Sequence, residues 1–150
     1  PPGRIYVSSR GDYYGTGSDI YVIDAATEKV IGNLGIAASE MCIDDDRLYT
    51  ISTEWSYTSS SNEVSYAVYD TAEQRIVSHN FITDGTEKEI SLPYGLAVNP
   101  ETKEIFVCDA TNYVTPGYLY CFTPEGTLKW KVRTGDIPAH IAFSSEPYYY

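Results

Sequence analysis

Residues 92–109, LPYGLAVNPETKEIFVCD, contain two short runs of strand-forming residues separated by a polar turn that begins at Pro100. A third run, YLYCF at 118–122, follows a loop, and a turn at 124–126 leads to a last run at 127–134. Short runs rich in Val, Ile, Tyr and Phe, bounded by Pro, Gly and Asn, are typical of β-strands. This order predicts one small antiparallel sheet of four strands.

The same order of strands recurs elsewhere in the chain. Residues 40–78 repeat it, with a long Ser-rich loop between the second and third strands. Residues 4–31 supply only the last three strands, and residues 137–143 supply only the first. The first repeat therefore lacks the strand that the last repeat supplies. This arrangement is typical of sheets that are completed by a segment distant in sequence.

The spacing of the repeat favours a β-propeller. Tyr6, Tyr49 and Phe106 hold equivalent positions, 43 and 57 residues apart. Propeller blades have four antiparallel strands and repeat about every 40 to 50 residues, whereas helical repeats need a 3.6-residue period that is absent. We predict an all-β chain of about three four-stranded antiparallel blades, with the strands of each blade labelled A to D.

The predicted boundaries follow from this alignment. They are about 4–36 for strands B to D of blade 1, about 37–83 for blade 2, about 90–135 for blade 3 and about 137–144 for a closing strand A.

Composition narrows the class of protein. A chain of 150 residues with 43% hydrophobic residues is long enough to bury a core, and its 15 Tyr and 4 Phe suit pleated sheets. The formal net charge of −11 would repel a phosphate backbone or an anionic membrane surface. No apolar run approaches the ~20 residues that span a bilayer. We therefore expect neither nucleic acid nor a direct membrane span.

The cysteines are expected to be buried thiols. Cys42, Cys108 and Cys121 all lie within apolar strand-like runs, and an odd number cannot form a complete set of disulfides. Burial makes such thiols unreactive.

Two segments carry a family resemblance. Residues 21–31, YVIDAATEKVI, resemble the repeat of YncE-like, or YVTN, surface-layer propellers, which pass from a YV strand to a VIDxxTxxV strand. Residues 93–100, PYGLAVNP, continuing to Phe106 and Val107, are similar to the PxG(I/L)A(V/F)(N/D)P run shared by YVTN and NHL-type repeats. His140 stands where those repeats usually have Gly.

The resemblance implies a propeller of about seven blades, often exported and found on bacterial surfaces or in the periplasm. The Tyr-rich, loop-rich form is similar to uncharacterised surface-layer-like lipoproteins of Bacteroides-type bacteria. A shared fold does not supply a function. No cofactor is expected, since only one copy of a tryptophan-docking stretch, around Trp130, is recognisable; Trp130 is expected to pack between blades.

Three blades are fewer than the ~4 to 8 that close a propeller. The chain begins at Pro1 with no initiator Met. One interpretation is the C-terminal part of a longer, exported propeller, whose missing N-terminus could carry a lipid anchor. The other is an assembly in which copies of the chain donate the closing strand A to one another.

The first candidate binding site is the mouth of a central channel, which strand A lines in propellers. Aligning the three A strands places Glu40, Gly95 and His140 at equivalent positions, with Tyr94 one step earlier. An acid, a phenol and an imidazole would then meet at one rim, where His140 and Glu40 could act as an acid–base pair or bind a metal. Strand capping and contact with channel water is the alternative.

The second candidate site is the rim formed by the loops between strands B and C. Trp55 and Tyr57 lie in the Ser-rich loop of blade 2 and suit stacking on a sugar or contact with a peptide; a loop that contacts only solvent is the alternative. The corresponding positions of the other blades are occupied by the residues Tyr13, Tyr14, Asp109, Asn112 and Tyr113.

Two functions remain open at this point. The preferred one is a non-enzymatic binding or scaffold propeller that engages a protein or a glycan through its Tyr- and Trp-bearing rim. The alternative is a fragment of a propeller hydrolase or lactonase in which a channel metal activates water. No catalytic or metal-binding residue is assigned, because no nucleophile elbow, phosphate-binding loop, HExxH or CxxC motif is present.

Overall fold

The computed structural model describes residues 2–12 and 14–147. Within them the chain forms eleven strands and one turn of 3₁₀ helix at Thr86–Glu89, so the all-β prediction is confirmed. The strands form three antiparallel sheets. Sheet 1 contains β1 (Arg4–Ser9), β2 (Asp19–Asp24) and β3 (Lys29–Asn33); sheet 2 contains β4 (Glu40–Asp44), β5 (Arg47–Ser56), β6 (Ser61–Asp70) and β7 (Arg75–Ser78); sheet 3 contains β8 (Pro93–Val98), β9 (Ile105–Asp109), β10 (Pro116–Phe122) and β11 (Leu128–Asp136).

Each sheet is a meander, because every strand pairs with its neighbours in the sequence. Sheets 2 and 3 also share a register at their first strand pair. Met41 lies opposite Thr50 in sheet 2, and Leu96 lies opposite Val107 in sheet 3. Met41 and Leu96 are the positions that the sequence alignment makes equivalent, so the two sheets are built on one plan.

One type of turn recurs at three hairpins. The side-chain oxygens of Asp24, Asp70 and Asn99 each accept hydrogen bonds from the backbone amides two and three residues later. Four residues after each of them, a non-glycine residue adopts a positive φ. These bonds stabilise the ionised carboxylates, so the pKa values of Asp24 and Asp70 are lowered, mainly by the amides of Thr27 and Glu73.

The chain divides into two compact units, residues 1–81 and 82–150, and each is described by itself. In the first unit, sheets 1 and 2 share a hydrophobic cluster. Ile20 of sheet 1 packs with Leu48 and Tyr69 of sheet 2 and with Ala38 of the linker, and Tyr6 and Met41 border the cluster. Burying these side chains stabilises this unit.

The second unit contains sheet 3, whose two faces differ. Val107, Tyr120 and Phe122 project from one face and are fully or almost fully buried. Phe106 projects from the other face, where its ring contacts Trp130 at 5.9 Å and Phe143 at 5.3 Å between centroids. Trp130 therefore packs against a ring of its own sheet, and that ring also contacts the C-terminal segment.

The segment after β11 lies on this Phe106 face and forms no strand over residues 137–147. A Cβ at Gly95 would overlap the Ala139 carbonyl oxygen, and one at Gly117 would overlap the Pro138 ring, so both glycines allow the segment to approach closely. The closing strand predicted at about 137–144 is therefore not a strand here. A strand needs a backbone partner, and the face of a sheet offers none.

The prediction of a long Ser-rich loop between the second and third strands of sheet 2 is wrong. β5 and β6 continue as a ladder through Trp55 opposite Asn62 and Ser56 opposite Ser61. Cross-strand pairing outweighs the weak strand propensity of serine in this hairpin.

The prediction for the cysteines is confirmed for two residues. None of the three is in a disulfide, Cys108 and Cys121 are buried, and Cys42 is partly exposed. In the described part of the chain, no helix is long and apolar enough to cross a bilayer.

Candidate functional site

The extended β5–β6 hairpin carries the most exposed candidate residues of the first unit. Its turn is closed by a hydrogen bond from the Ser59 amide to Ser56 Oγ and by a positive φ of 52° at Ser60. Trp55 is 54% exposed and Tyr57 is 90% exposed. The ladder thus holds the exposed Trp55 on a regular strand, and Tyr57 lies in the turn that follows directly.

The two faces of this hairpin differ in chemistry. Side chains alternate along a strand, so Trp55 shares a face with Thr53 and with Val64 of the partner strand. Glu54 lies directly opposite Glu63 on the other face. The hairpin therefore presents one acidic face and one face on which Trp55 and Val64 lie among the polar residues Thr53 and Asn62.

Glu40 lies at the same end of sheet 2 as this hairpin. It begins β4 and lies opposite Ile51, the position from which β5 continues toward Trp55. Glu40 is partly buried. The structure therefore places Glu40, Trp55 and Tyr57 at one end of one sheet.

A second group of candidates lies at one end of sheet 3. Tyr94 near the start of β8 and Tyr113 in the loop after β9 contact each other edge to face, with 5.5 Å between ring centroids and an interplanar angle of 86°. This geometry is favourable for aromatic pairs. Tyr94 is partly buried and Tyr113 is exposed, so the pair presents an aromatic surface to solvent.

The polar candidates Asp109 and Asn112 position this loop. The buried Asp109 carboxylate, 2% exposed, accepts hydrogen bonds from the amides of Ser91, Leu92 and Thr111. Asn112 Oδ1 accepts from the amides of Val114 and Thr115 and from the Thr115 hydroxyl. Both side chains accept hydrogen bonds from backbone amides and so hold the loop that carries Tyr113 in place. The sequence analysis predicted ligand contact for these two residues.

His140 belongs to the same unit. It is exposed and follows Ala139, whose carbonyl group packs on Gly95 beside Tyr94. Tyr94, Tyr113 and the segment that contains His140 thus lie near the start of β8 in sheet 3. The predicted meeting of His140 with Glu40 involves two different compact units and stays a prediction.

The loop between β1 and β2 is the third of the predicted loops between strands B and C. Asp12 Oδ1 accepts hydrogen bonds from the amides of Tyr14, Gly15 and Thr16, which lower the pKa of this carboxyl well below its usual range, the Gly15 amide most strongly. Tyr14 is almost fully exposed. Tyr13, predicted for the same loop, lies outside the described residues.

Sequence reasoning missed a polar contact inside sheet 3. The Cys121 thiol donates a hydrogen bond to Glu104 Oε2 at 3.0 Å, and Lys129 Nζ donates to the same oxygen at 3.3 Å. Burial, followed by the Glu104 contact, raises the pKa of Cys121 to about 12, so the group stays a neutral thiol and a poor nucleophile. The alternation of β9 and β10 predicted their pairing but not this contact.

In the described ranges, no group of three or more His, Cys, Asp or Glu side chains is placed to bind a metal ion.

Comparison with known proteins gives no match to a protein-family model and none to a curated protein.

Proposed function

We propose that this chain is part of a β-propeller and that it is a non-enzymatic binding or scaffold module of the bacterial cell surface or periplasm. It engages a protein or a glycan through the Tyr- and Trp-bearing loops at one end of its sheets. The observation that carries the proposal is the β5–β6 hairpin, whose regular pairing extends through the exposed Trp55 to the turn that presents the exposed Tyr57.

The arrangement of strands supports the propeller. Sheets 2 and 3 are four-stranded meanders with a common register, and sheet 1 is a three-stranded meander. Sheets 1 and 2 pack through a shared hydrophobic cluster, as neighbouring blades do. Residues 137–143, whose sequence repeats that of a first strand, lie on the Phe106 face of sheet 3, where the next blade of a propeller would begin.

The physical properties of the rim support binding. Aromatic rings supply a large contact area and lose little conformational entropy when they bind, provided that the backbone already holds them in place. The ladder beneath Trp55 and the hydrogen bonds around Tyr113 meet that condition. Because the chain carries a net charge of −11, the ligand is expected to be neutral or basic.

The test is a pair of substitutions in the hairpin. The labelled chain is first screened on a glycan array and a peptide array, and the strongest hit is titrated by following Trp fluorescence or by calorimetry. We expect Trp55→Ala with Tyr57→Ala to weaken binding of that hit at least tenfold, since stacked aromatic contacts contribute about 0.5–1.5 kcal/mol each beyond their buried area.

The matched control is Ile43→Ala, which removes an exposed apolar side chain at the other end of sheet 2. Both variants should keep the circular dichroism spectrum of the parent chain. Unchanged affinity in the hairpin variant, or an equal loss in the Ile43 variant, would reject the hairpin as the binding element.

The hydrolase or lactonase alternative makes a different prediction. It requires a stoichiometric metal in the purified chain, which is lost when Glu40→Gln or His140→Ala is introduced. Such a metal, measured by plasma mass spectrometry, would replace the binding proposal with an enzymatic one.

A further inference from the structure

Sheet 1 lacks the strand that covers the same edge in the other two sheets. Its strand order is β1-β2-β3, so one edge of β1 has no strand partner among the described residues. The equivalent strands β5 and β9 are covered by β4 and β8. An uncovered edge is a template for pairing with another extended segment.

The face of sheet 1 opposite the shared cluster is apolar and exposed. Ile5, Val7 and Val30 are 51%, 40% and 62% exposed, and the ladder places Ile23 between Ile5 and Val30. In sheet 2 the face at the equivalent position is covered, because Leu48 belongs to the cluster shared with sheet 1.

The chain itself contains a segment with the sequence of the missing strand. Residues 137–143, IPAHIAF, repeat the pattern of residues 92–98, LPYGLAV, which form the first strand of sheet 3. The segment makes no ladder of its own, and it begins at Ile137, a β-branched residue with a φ of 51°. This conformation is unfavourable for a β-branched side chain.

We propose that the open edge of β1 binds residues 137–143 of a second copy of this chain as the fourth strand of sheet 1, and that the exchange is reciprocal in a dimer. The registers of sheets 2 and 3 fix the pairing, which places Ile141 opposite Val7 and Phe143 opposite Ile5. The inference rests on the equivalence of the three sheets and is independent of the ligand proposed above.

Charge complementarity favours this occupant. In the proposed register, Arg4 at the start of β1 lies diagonally across from Glu146 of the second copy. Arg10, just after β1, and Asp136, just before the donated segment, both lie at the other end of the pairing. Diagonal neighbours on paired strands are within reach of long side chains, so both ends of the donated strand gain an opposite charge.

The contacts that already hold the segment are compatible with the donation. Phe143 would lie on the same face of sheet 1 as Ile5, and this is the face that would approach Phe106 of the donating copy. The Phe143–Phe106 contact is therefore kept. Trp130 and Val132, both exposed on the Phe106 face, would cover Ile5 and Val30.

The test is a site-specific disulfide. Val7→Cys combined with Ile141→Cys is expected to give, under mild oxidation, a covalent dimer of twice the single-chain mass, because opposite residues on paired strands have Cα atoms about 4.5–5.5 Å apart. The matched control is Val7→Cys with Ala142→Cys, in which the second cysteine falls on the opposite face of the sheet.

Crosslinking in the first variant that exceeds that of the control by fivefold or more supports the proposal. A crosslink within one chain, recognised by an unchanged mass, would overturn the second copy as the occupant. Equal yields in the two variants would overturn the register.

A second experiment does not depend on cysteine chemistry. Light scattering during gel filtration should give the mass of a dimer for the parent chain and of a monomer for Ile5→Lys with Val7→Lys. Both positions are exposed in the single chain, so the variant should fold; Ile43→Lys, an exposed apolar position in sheet 2, is the control and should remain dimeric. A parent chain that is monomeric at high concentration would overturn the proposal.

Discussion

Polar side chains near turns have two distinct roles in this chain. Asp24, Asp70 and Asn99 organise hairpin turns, and each accepts two hydrogen bonds from backbone amides of its own turn. Asp109 also ends a strand and, like Asp70, is buried, but it accepts three hydrogen bonds, two of them from a distant segment. The sequence identifies all four as strand ends. It cannot distinguish Asp109, because its distant partners Ser91 and Leu92 lie 18 and 17 residues away.

Replacing Asp109 should therefore cost stability before it affects any ligand. We expect Asp109→Ala to lower the free energy of unfolding by about 2–4 kcal/mol, because three backbone amides near a buried site lose their acceptor. Asp109→Asn should cost less, since its remaining carbonyl oxygen can take the place of Oδ1, which bonds Leu92 and Thr111. Urea titrations followed by circular dichroism measure both. A loss no larger than that of Asp24→Ala, at a partly exposed turn residue, would contradict a structural role for Asp109.

At the scale of elements, alternation of apolar residues and turn residues was enough to predict the meander order and an all-β chain. It failed where pairing, rather than propensity, decides the conformation. The β5–β6 extension is rich in serine but is held by its ladder, and residues 137–143 have a strand sequence but no partner. For the candidate rim, the sequence likewise predicted the residues but not their contacts. Tyr94 and Tyr113 were both named, but their ring contact depends on the loop hydrogen bonds of Asp109 and Asn112.

The hairpin contains an unfavourable pair that a single substitution can reverse. Glu54 and Glu63 lie directly opposite each other, and like charges at such positions destabilise a ladder. We expect Glu54→Lys to raise the free energy of unfolding by about 0.2–1 kcal/mol at low salt, and Glu54→Gln to give a smaller gain. Thermal unfolding at 10 mM and 1 M NaCl measures both the gain and its screening. A gain that is equal at both salt concentrations would show that it is not electrostatic.

At the scale of the whole molecule, charge and apolar surface act in opposite directions on self-association. Each copy carries a net charge of −11, which repels a second copy, whereas the open edge and exposed face of sheet 1 favour pairing. Burial of apolar side chains does not depend on charge, so its contribution to pairing is nearly the same at low salt. The repulsion between the two net charges is stronger at low salt.

The proposed dimer should therefore dissociate more readily at low salt. The Debye length falls from about 30 Å at 0.01 M to about 8 Å at 0.15 M, which removes most of the repulsion between whole chains while contacts at the paired edge persist. We expect the dissociation constant, measured by sedimentation velocity, to fall several-fold over this range. Glu101→Lys with Glu125→Lys reduces the net negative charge at two turns outside the proposed strand pair, and this variant should show a weaker dependence on salt. A dissociation constant that rises with salt would mean that Arg4 and Arg10, rather than apolar contacts, hold the two copies together.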